Sequence, residues 1–289
     1  MSAIYSMTGF GKAVAQLPAK KITIEVKSLN SKQTDINMRM PTLFREKEGD
    51  LRQMTAEALQ RGKIDINIYC EVTGVEEAPS INRDLVTAYI QQLKEISQLT
   101  GTQGDLLGAV MSLPDVLQPA DDTMSAEDWQ AVQKVCHAAL EQLADFRSIE
   151  GKKLETDLRE RLESISAKME ESTQYDEERT QRIKDKLQRS LSELKESPDE
   201  NRFEQELIYY LEKLDITEER VRLKSHLDYF EALLNEGGPV GKKLGFIGQE
   251  MGREINTMGS KANHANMQKL VVEMKDELEK IKEQVLNIL

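Results

Sequence analysis

Ile22-Thr-Ile-Glu-Val-Lys-Ser-Leu29 alternates apolar and polar residues, the period of a strand with one face buried. Ile36-Asn-Met-Arg-Met40 repeats that alternation and stops at Pro41. Ile64-Asp-Ile-Asn-Ile-Tyr-Cys-Glu-Val72 repeats it again. Between the last two, Leu43, Phe44, Leu51, Met54, Ala58 and Leu59 fall at helical spacing, with Gly62 placed as the cap that stops the helix. Upstream, Ser6-Met-Thr-Gly-Phe-Gly11 lacks the Lys-Ser/Thr spacing of a phosphate loop and reads as the start of a strand. Residues 1–80 are therefore expected to form a small α/β sheet domain with one face under a helix.

From Asn82 the period becomes helical. Asn82 opens a helix that runs to about Thr100 and breaks at Gly101-Thr-Gln-Gly104; Leu113 to Pro119 is a connector. Ser125-Ala-Glu-Asp128 has the spacing of an N-terminal capping box, and its helix is expected to bend or break at Glu150-Gly151. Leu154, Leu158, Leu162, Ile165 and Met169 then form a narrow stripe, continued by Ile183, Leu187, Leu191 and Leu194. That stripe predicts a long coiled-coil-like arm with a solvated charged face, suited to self-association. Residues 81–200 form this helical middle region. Ser197-Pro-Asp-Glu-Asn201 interrupts it, and residues 201–289 are expected to be a helical domain. It comprises Phe203 to about Leu234, a turn at Glu236–Gly241, Lys243 to Met258, and a last helix from about Ala262. The fold class is α+β.

Composition narrows the function. Charged residues make up 31% and aromatics 5%, a balance that suits long helices better than a sandwich or barrel. No run approaches a membrane span, and the opening Met1–Lys12 does not read as a signal peptide. Cys70 and Cys136 have neither metal-ligand nor disulfide spacing, so a cytoplasmic protein is expected. The net charge of −12 argues against a passive nucleic-acid binder. Between Glu219 and Lys261, however, seven cations face six anions, a neutral-to-basic island in an acidic chain.

Within that island the residues are poorly explained by packing. With Asp215–Leu227 helical, Glu219, Arg222 and His226 share a face at i, i+3 and i+7. Glu250, Arg253, Glu254 and Thr257 repeat the theme at i, i+3, i+4 and i+7. Carboxylates four apart suit a hard divalent cation such as Mg²⁺ or Mn²⁺. Thr257-Met-Gly-Ser-Lys-Ala262 places hydroxyls and a cation at a helix junction, where free N–H groups attract phosphate. The bland alternatives are an exposed ion-pair ladder and a simple cap; His137 reads as a packed histidine, and His264 as a loop residue or a second imidazole.

Several longer stretches carry a resemblance. They are Ser6-Met-Thr-Gly-Phe-Gly-Lys12, Glu25-Val-Lys-Ser-Leu-Asn30, Arg61-Gly-Lys63, Leu113-Pro-Asp-Val116 and Glu150-Gly151. With them stand Glu219-Arg-Val-Arg-Leu-Lys-Ser-His226, Gly237-Gly-Pro-Val-Gly-Lys-Lys-Leu244 and Gln249-Glu-Met-Gly-Arg-Glu-Ile-Asn-Thr-Met-Gly-Ser-Lys-Ala262. In order and over nearly the whole chain, these resemble the YicC-like family. The resemblance implies a bacterial cytoplasmic endoribonuclease that depends on a divalent metal and forms a ring-like homohexamer. Its motif covers Glu219, Arg222, His226, Glu250, Arg253, Glu254, Asn256, Ser260 and Lys261. Two places depart from it: Ser31-Lys32-Gln33 replaces the usual His-Arg-Tyr, and Gly252 replaces the usual Asn.

The expected activity is cleavage of RNA phosphodiester bonds with Mg²⁺ or Mn²⁺. His226, Glu219 and Arg253 are the catalytic candidates, and His226, Glu250 and Glu254 the metal ligands. Arg222, Lys224, Lys242, Lys243, Ser260 and Lys261 are the expected RNA contacts. Attack by a metal-activated water and attack by the 2′-hydroxyl both remain open, as does a non-catalytic adaptor that binds RNA and delivers it to another nuclease.

Overall fold

The computed structural model describes residues 4–31, 33–59, 61–73, 80–101, 104–118, 124–193 and 200–289; at 80, 191–193 and 200–202 only the backbone is described. The N-terminal strands are β1 (Gly9–Gln16), β2 (Lys20–Leu29), β3 (Thr34–Arg39) and β4 (Gly62–Val72), in the order β1-β2-β4-β3. β1–β2 and β2–β4 are antiparallel, and β3 runs parallel to β4 with Ile36 beside Ile64 and Met38 beside Ile66. A parallel neighbour needs a crossover, supplied by a 3-10 turn (Thr42–Lys47) and α1 (Glu48–Ala58).

The helix expected to stop at Gly62 ends at Ala58 instead, and Gly62 opens β4 at φ +130°. A Cβ there would lie 2.8 Å from Ser28 Oγ and 3.2 Å from Arg147 Nη2. Glycine is thus required by the strand start and its buried arginine, not by a helix cap.

β5 (Ser80–Ile81), α2 (Arg83–Thr100), α3 (Leu106–Met111) and β6 (Leu117–Gln118) follow. Asn82 caps α2 through Leu85 N, and Gly101 ends it at φ +67°. Pro119 of the connector lies outside the described residues.

α4 (Ala126–Glu171) opens with the expected capping box, Ser125 Oγ accepting from Asp128 N while Asp128 accepts from Ser125 N. The break expected at Gly151 does not occur. α4 runs through it for 46 residues, because this glycine answers to packing: a Cβ there would fall 2.0 Å from Ile4 O. Gly11 does the same on β1, whose Cβ would meet Ala139 O at 2.0 Å. The sheet accordingly rides close against α4. Val132, Val135, Ala139, Leu140 and Leu143 of α4 pack on Ile22, Ile24, Val26, Ile64, Ile66 and Ile68, with Phe44 and Leu51 at the side. Most of the cover of the sheet therefore comes from α4, beyond residue 80.

The other half of the same helix builds the second core. After α4 come a 3-10 turn (Ser172–Tyr175), α5 (Asp176–Glu193), α6 (Glu200–Leu214), α7 (Thr217–Glu236), α8 (Gly241–Lys261) and α9 (Ala265–Val285). Leu158, Leu162, Ile165 and Met169, read as the seam of a self-associating arm, are buried against Leu223, Leu227, Phe230, Met251, Ile255 and Met274 of α7–α9. What covers the narrow stripe is the chain's own C-terminal helices. Ile183 and Leu187 are half-buried on α5, beside α6, and the interruption at Ser197-Pro-Asp-Glu-Asn201 falls almost wholly outside the described residues. The single helix expected from Phe203 to Leu234 is split: Asp215 Oδ1 accepts from the Thr217 N–H and hydroxyl, satisfying the first free N–H of α7. No helix among the described residues is long and apolar enough to cross a membrane.

Candidate active site

α7 and α8 are joined by Gly237-Gly238-Pro239-Val240, with positive φ at both glycines, and fold back on each other as a hairpin. Leu223, Leu227, Phe230 and Leu234 bury one stripe of α7, and Leu244, Met251, Ile255 and Met258 one stripe of α8. The candidate polar residues lie on the flanks of these stripes. Glu250, Glu254, Thr257 and Lys261 follow at i, i+4, i+7 and i+11, so they share one flank of α8.

At the open end of the hairpin Lys261 Nζ donates to Glu219 Oε1 at 2.7 Å. Glu219 is only 5% exposed, and its Oε2 is buried without a hydrogen-bond partner among the described residues. This contact marks the α8 flank that faces α7, and it fixes the register of the hairpin. Two turns inward from it on each helix lie His226, half-buried, and Glu254, buried and free of hydrogen bonds or ion pairs among the described residues. Glu250 follows one turn further in; its Oε2 accepts from Arg253 Nη1 at 3.1 Å, and its Oε1, 2.8 Å from that nitrogen, is buried without hydrogen-bond geometry.

The other predicted contacts are exposed or paired within their own helices and turns. Arg222 is exposed and paired with Glu218; Lys224 faces Asp228 at 3.4 Å; Lys243 stands 3.8 Å from Glu236, and Lys242 beside it is exposed. Arg253 is 73% exposed in its side chain. Ser260 donates to Thr257 O, and Thr257 to Arg253 O, both back into their own helix. The three proposed metal ligands do not form a closed cage: among the described residues no three His, Cys, Asp or Glu side chains are grouped to hold a metal ion. The two carboxylates with oxygens lacking hydrogen bonds fit the lighter demand of a hydrated hard cation, which takes one or two carboxylates and keeps its waters.

The sequence missed a buried charged cluster behind the hairpin. Arg220, read only as part of the island, makes a bidentate pair with Asp176 at 2.6 and 2.9 Å, and its Nε donates to Ser172 Oγ at 3.2 Å. Arg179, 8% exposed, donates from Nη2 to Leu214 O at 2.7 Å and Lys261 O at 3.2 Å. Burial pulls its guanidinium below the ordinary arginine value, with Asp176 opposing. His264 lies in the loop between α8 and α9, as one of the two readings had it, and is turned to structural use there. It caps α9 through Met267 N, stacks on Tyr175 at 4.8 Å, and holds Nε2 3.1 Å from Glu178 Oε2. That contact holds the Glu178 carboxyl below the usual range. His137, expected to be packed, is exposed on α4. Asn30, in the departing loop, donates to Leu286 O at 2.6 Å, a contact between the sheet and the chain's end.

A family model described as "Endoribonuclease YicC-like, N-terminal region" matches residues 4–156, and one described as "Endoribonuclease YicC-like, C-terminal" matches residues 169–289. A protein of Clostridioides difficile named probable endoribonuclease YicC is 36% identical over 291 residues, covering 98% of this chain and 99% of that one. A protein of Haemophilus influenzae with the same name is 30% identical over 289 residues, covering 99% of each.

Proposed function

The chain belongs to the YicC-like endoribonuclease family, and from that premise we propose that it cleaves RNA phosphodiester bonds in the cleft between α7 and α8. The observation that carries the reading is that both family models, one on each half of the chain, bear an endoribonuclease description. The hairpin supports it with a carboxylate pair and a cation on one flank of α8 and an imidazole at the matching register of α7, the residue types that phosphodiester chemistry uses.

Glu254 and Glu250 would hold Mg²⁺ or Mn²⁺, with His226 at the matching register position on α7. Such a cation, when bound, neutralises phosphate charge and lowers the pKa of an attacking oxygen. Lys261, aligned by Glu219, would meet the scissile phosphate, and His226 would move the proton of the attacking or leaving oxygen. Arg222, Lys224, Lys242, Lys243 and Arg253, exposed on the outer faces, would take the flanking phosphates. The surface ion pairs of Arg222, Lys224, Lys243 and Arg253, worth at most about 1 kcal/mol each, would yield readily to RNA. The protein is proposed to act in the cytoplasm as a homohexamer, with RNA as its partner.

The test uses a 5′-labelled structured RNA with the purified chain in Mg²⁺, Mn²⁺ or EDTA. Cutting is expected in either metal and not in EDTA, and to fall by about two orders of magnitude, the scale of a lost acid–base group, in His226→Ala and Glu254→Gln. Mn²⁺ binding followed by electron paramagnetic resonance should weaken in Glu254→Gln whether or not RNA is cut. Undiminished cutting in EDTA would remove the metal from the reading, and RNA binding without cutting in either metal would favour the adaptor. A 2′,3′-cyclic phosphate end would assign the attack to the 2′-hydroxyl.

A further inference from the structure

Resting on that reading, we propose that Arg179 is a positioning residue for RNA cleavage, which sets Lys261 in the cleft through a buried network on α5. Arg179 is placed at a three-way junction. Its Nη2 donates to the carbonyls of Leu214 and Lys261, the last residues of α6 and α8, so one guanidinium satisfies orphan carbonyls at two helix ends. Its Nη1 stands 3.4 Å from Asp176, which is also held bidentately by Arg220 from the first turn of α7. Both ends of the Glu219–Lys261 contact are therefore gripped from behind: Lys261 by its own carbonyl, and Glu219 through its neighbour Arg220.

The grip matters because the contact itself is finely placed. Glu219 presents one oxygen to Lys261 and buries the other without a partner among the described residues, so a small shift of either helix end loses the 2.7 Å contact. A buried arginine is costly unless its donors are occupied; here Nη1 and Nη2 are occupied, one of their acceptors being the carbonyl of Lys261 itself, while Nε is buried without a partner among the described residues. Lysine could carry the charge but not the same fork of donors.

The experiment is a double-mutant cycle on single-turnover RNA cleavage by the full chain, with helicity and melting temperature measured for each variant. The members are wild type, Arg179→Met, Lys261→Gln and the double variant, with Arg179→Lys and the sheet variant Ile24→Val as comparators. Arg179→Met is expected to lower the cleavage rate at least tenfold with the RNA concentration for half-maximal rate changed less than threefold. Arg179→Lys is expected to recover part of the loss. The double variant should be no slower than Lys261→Gln alone, because Arg179 acts through that lysine. Ile24→Val should lose melting temperature without losing rate. Losses that multiply in the double variant overturn the inference and assign Arg179 to stability. An Arg179→Met rate equal to wild type overturns it too. A loss in Lys261→Gln together with either of those results spares the proposed activity, whereas a wild type that cuts no RNA overturns both.

Discussion

Cys136 sits in the sheet-facing half of α4, and burial pushes its thiol up to about 11. In the native protein at pH 8 it should resist a thiol-reactive dye, and should react fully in guanidinium. Dye uptake counted with and without denaturant checks this. At Asp215 the Thr217 hydroxyl and N–H hold the carboxyl below its ordinary value of 3.8. A depressed carboxyl contributes stability that is present above 3.8 and is lost as pH falls through the lower folded value. Asp215→Ala should therefore lower the melting temperature at pH 7 by a few degrees at most, the scale of one lost cap. The difference from wild type should vanish in strong acid; a difference that persists at pH 2 would contradict it. Caps of this kind were legible in the sequence where the signal is local, as at Asn82 and Ser125. Arg179 was not legible. In the linear chain it is one charge among many on an arm that reads as solvated, and its carbonyl partners, Leu214 and Lys261, are distant in sequence.

Elements were read best where one face is buried against something regular. The alternation of β2 and β4 identified both strands, since every second residue meets α4. The length of α4 was misread because glycine weakens a helix when alone, whereas at Gly151 it is the only residue that lets Ile4 pass. The contrast is measurable. Gly151→Ala should destabilise by about 1–3 kcal/mol or more, the cost of overpacking against fixed backbone. Gly49→Ala on α1, with nothing within 4 Å of the added carbon, should stabilise by about 0.5–1 kcal/mol. Gly252→Ala, where the added carbon comes into ordinary contact with Leu278 and Lys282 at 3.4 Å, should also gain. Urea midpoints for the three variants decide the point, and a gain at Gly151 would refute the packing argument.

Over the whole molecule, the candidate site combines α8, which was legible in the sequence, α7, which was read as one helix with α6, and a hairpin register that was not legible. Spacing within α7 or α8 names which residues share a face; only the Glu219–Lys261 contact tells which faces meet. The proposed hexamer belongs to this scale. Ile208 and Tyr209 are each 56% exposed on α6, an apolar surface that another subunit would cover. A light-scattering mass six times the 32.9 kDa chain is expected, and a Tyr209→Glu variant should shift it downward. A monomer at micromolar concentration would dispose of the hexamer.

The two ends of the chain are tied together. Met7 N donates to Asn287 O, Leu289 N to Tyr5 O, and Gly241 N to Leu289 O, while a Cβ on Gly241 would strike Ile288 O at 2.3 Å. During synthesis, the strand pairs of the sheet and the α4 segment that covers them emerge together and can assemble early. The corner around Met7 cannot close until nearly the whole chain has been translated, and neither can the start of α8 that leans on the same tail. The closed end of the α7–α8 hairpin thus takes its final contacts only once residue 289 is available. A chain shortened to residue 285 should therefore keep a protease-resistant sheet while the corner between Tyr5, Gly241 and the missing tail becomes more readily digested.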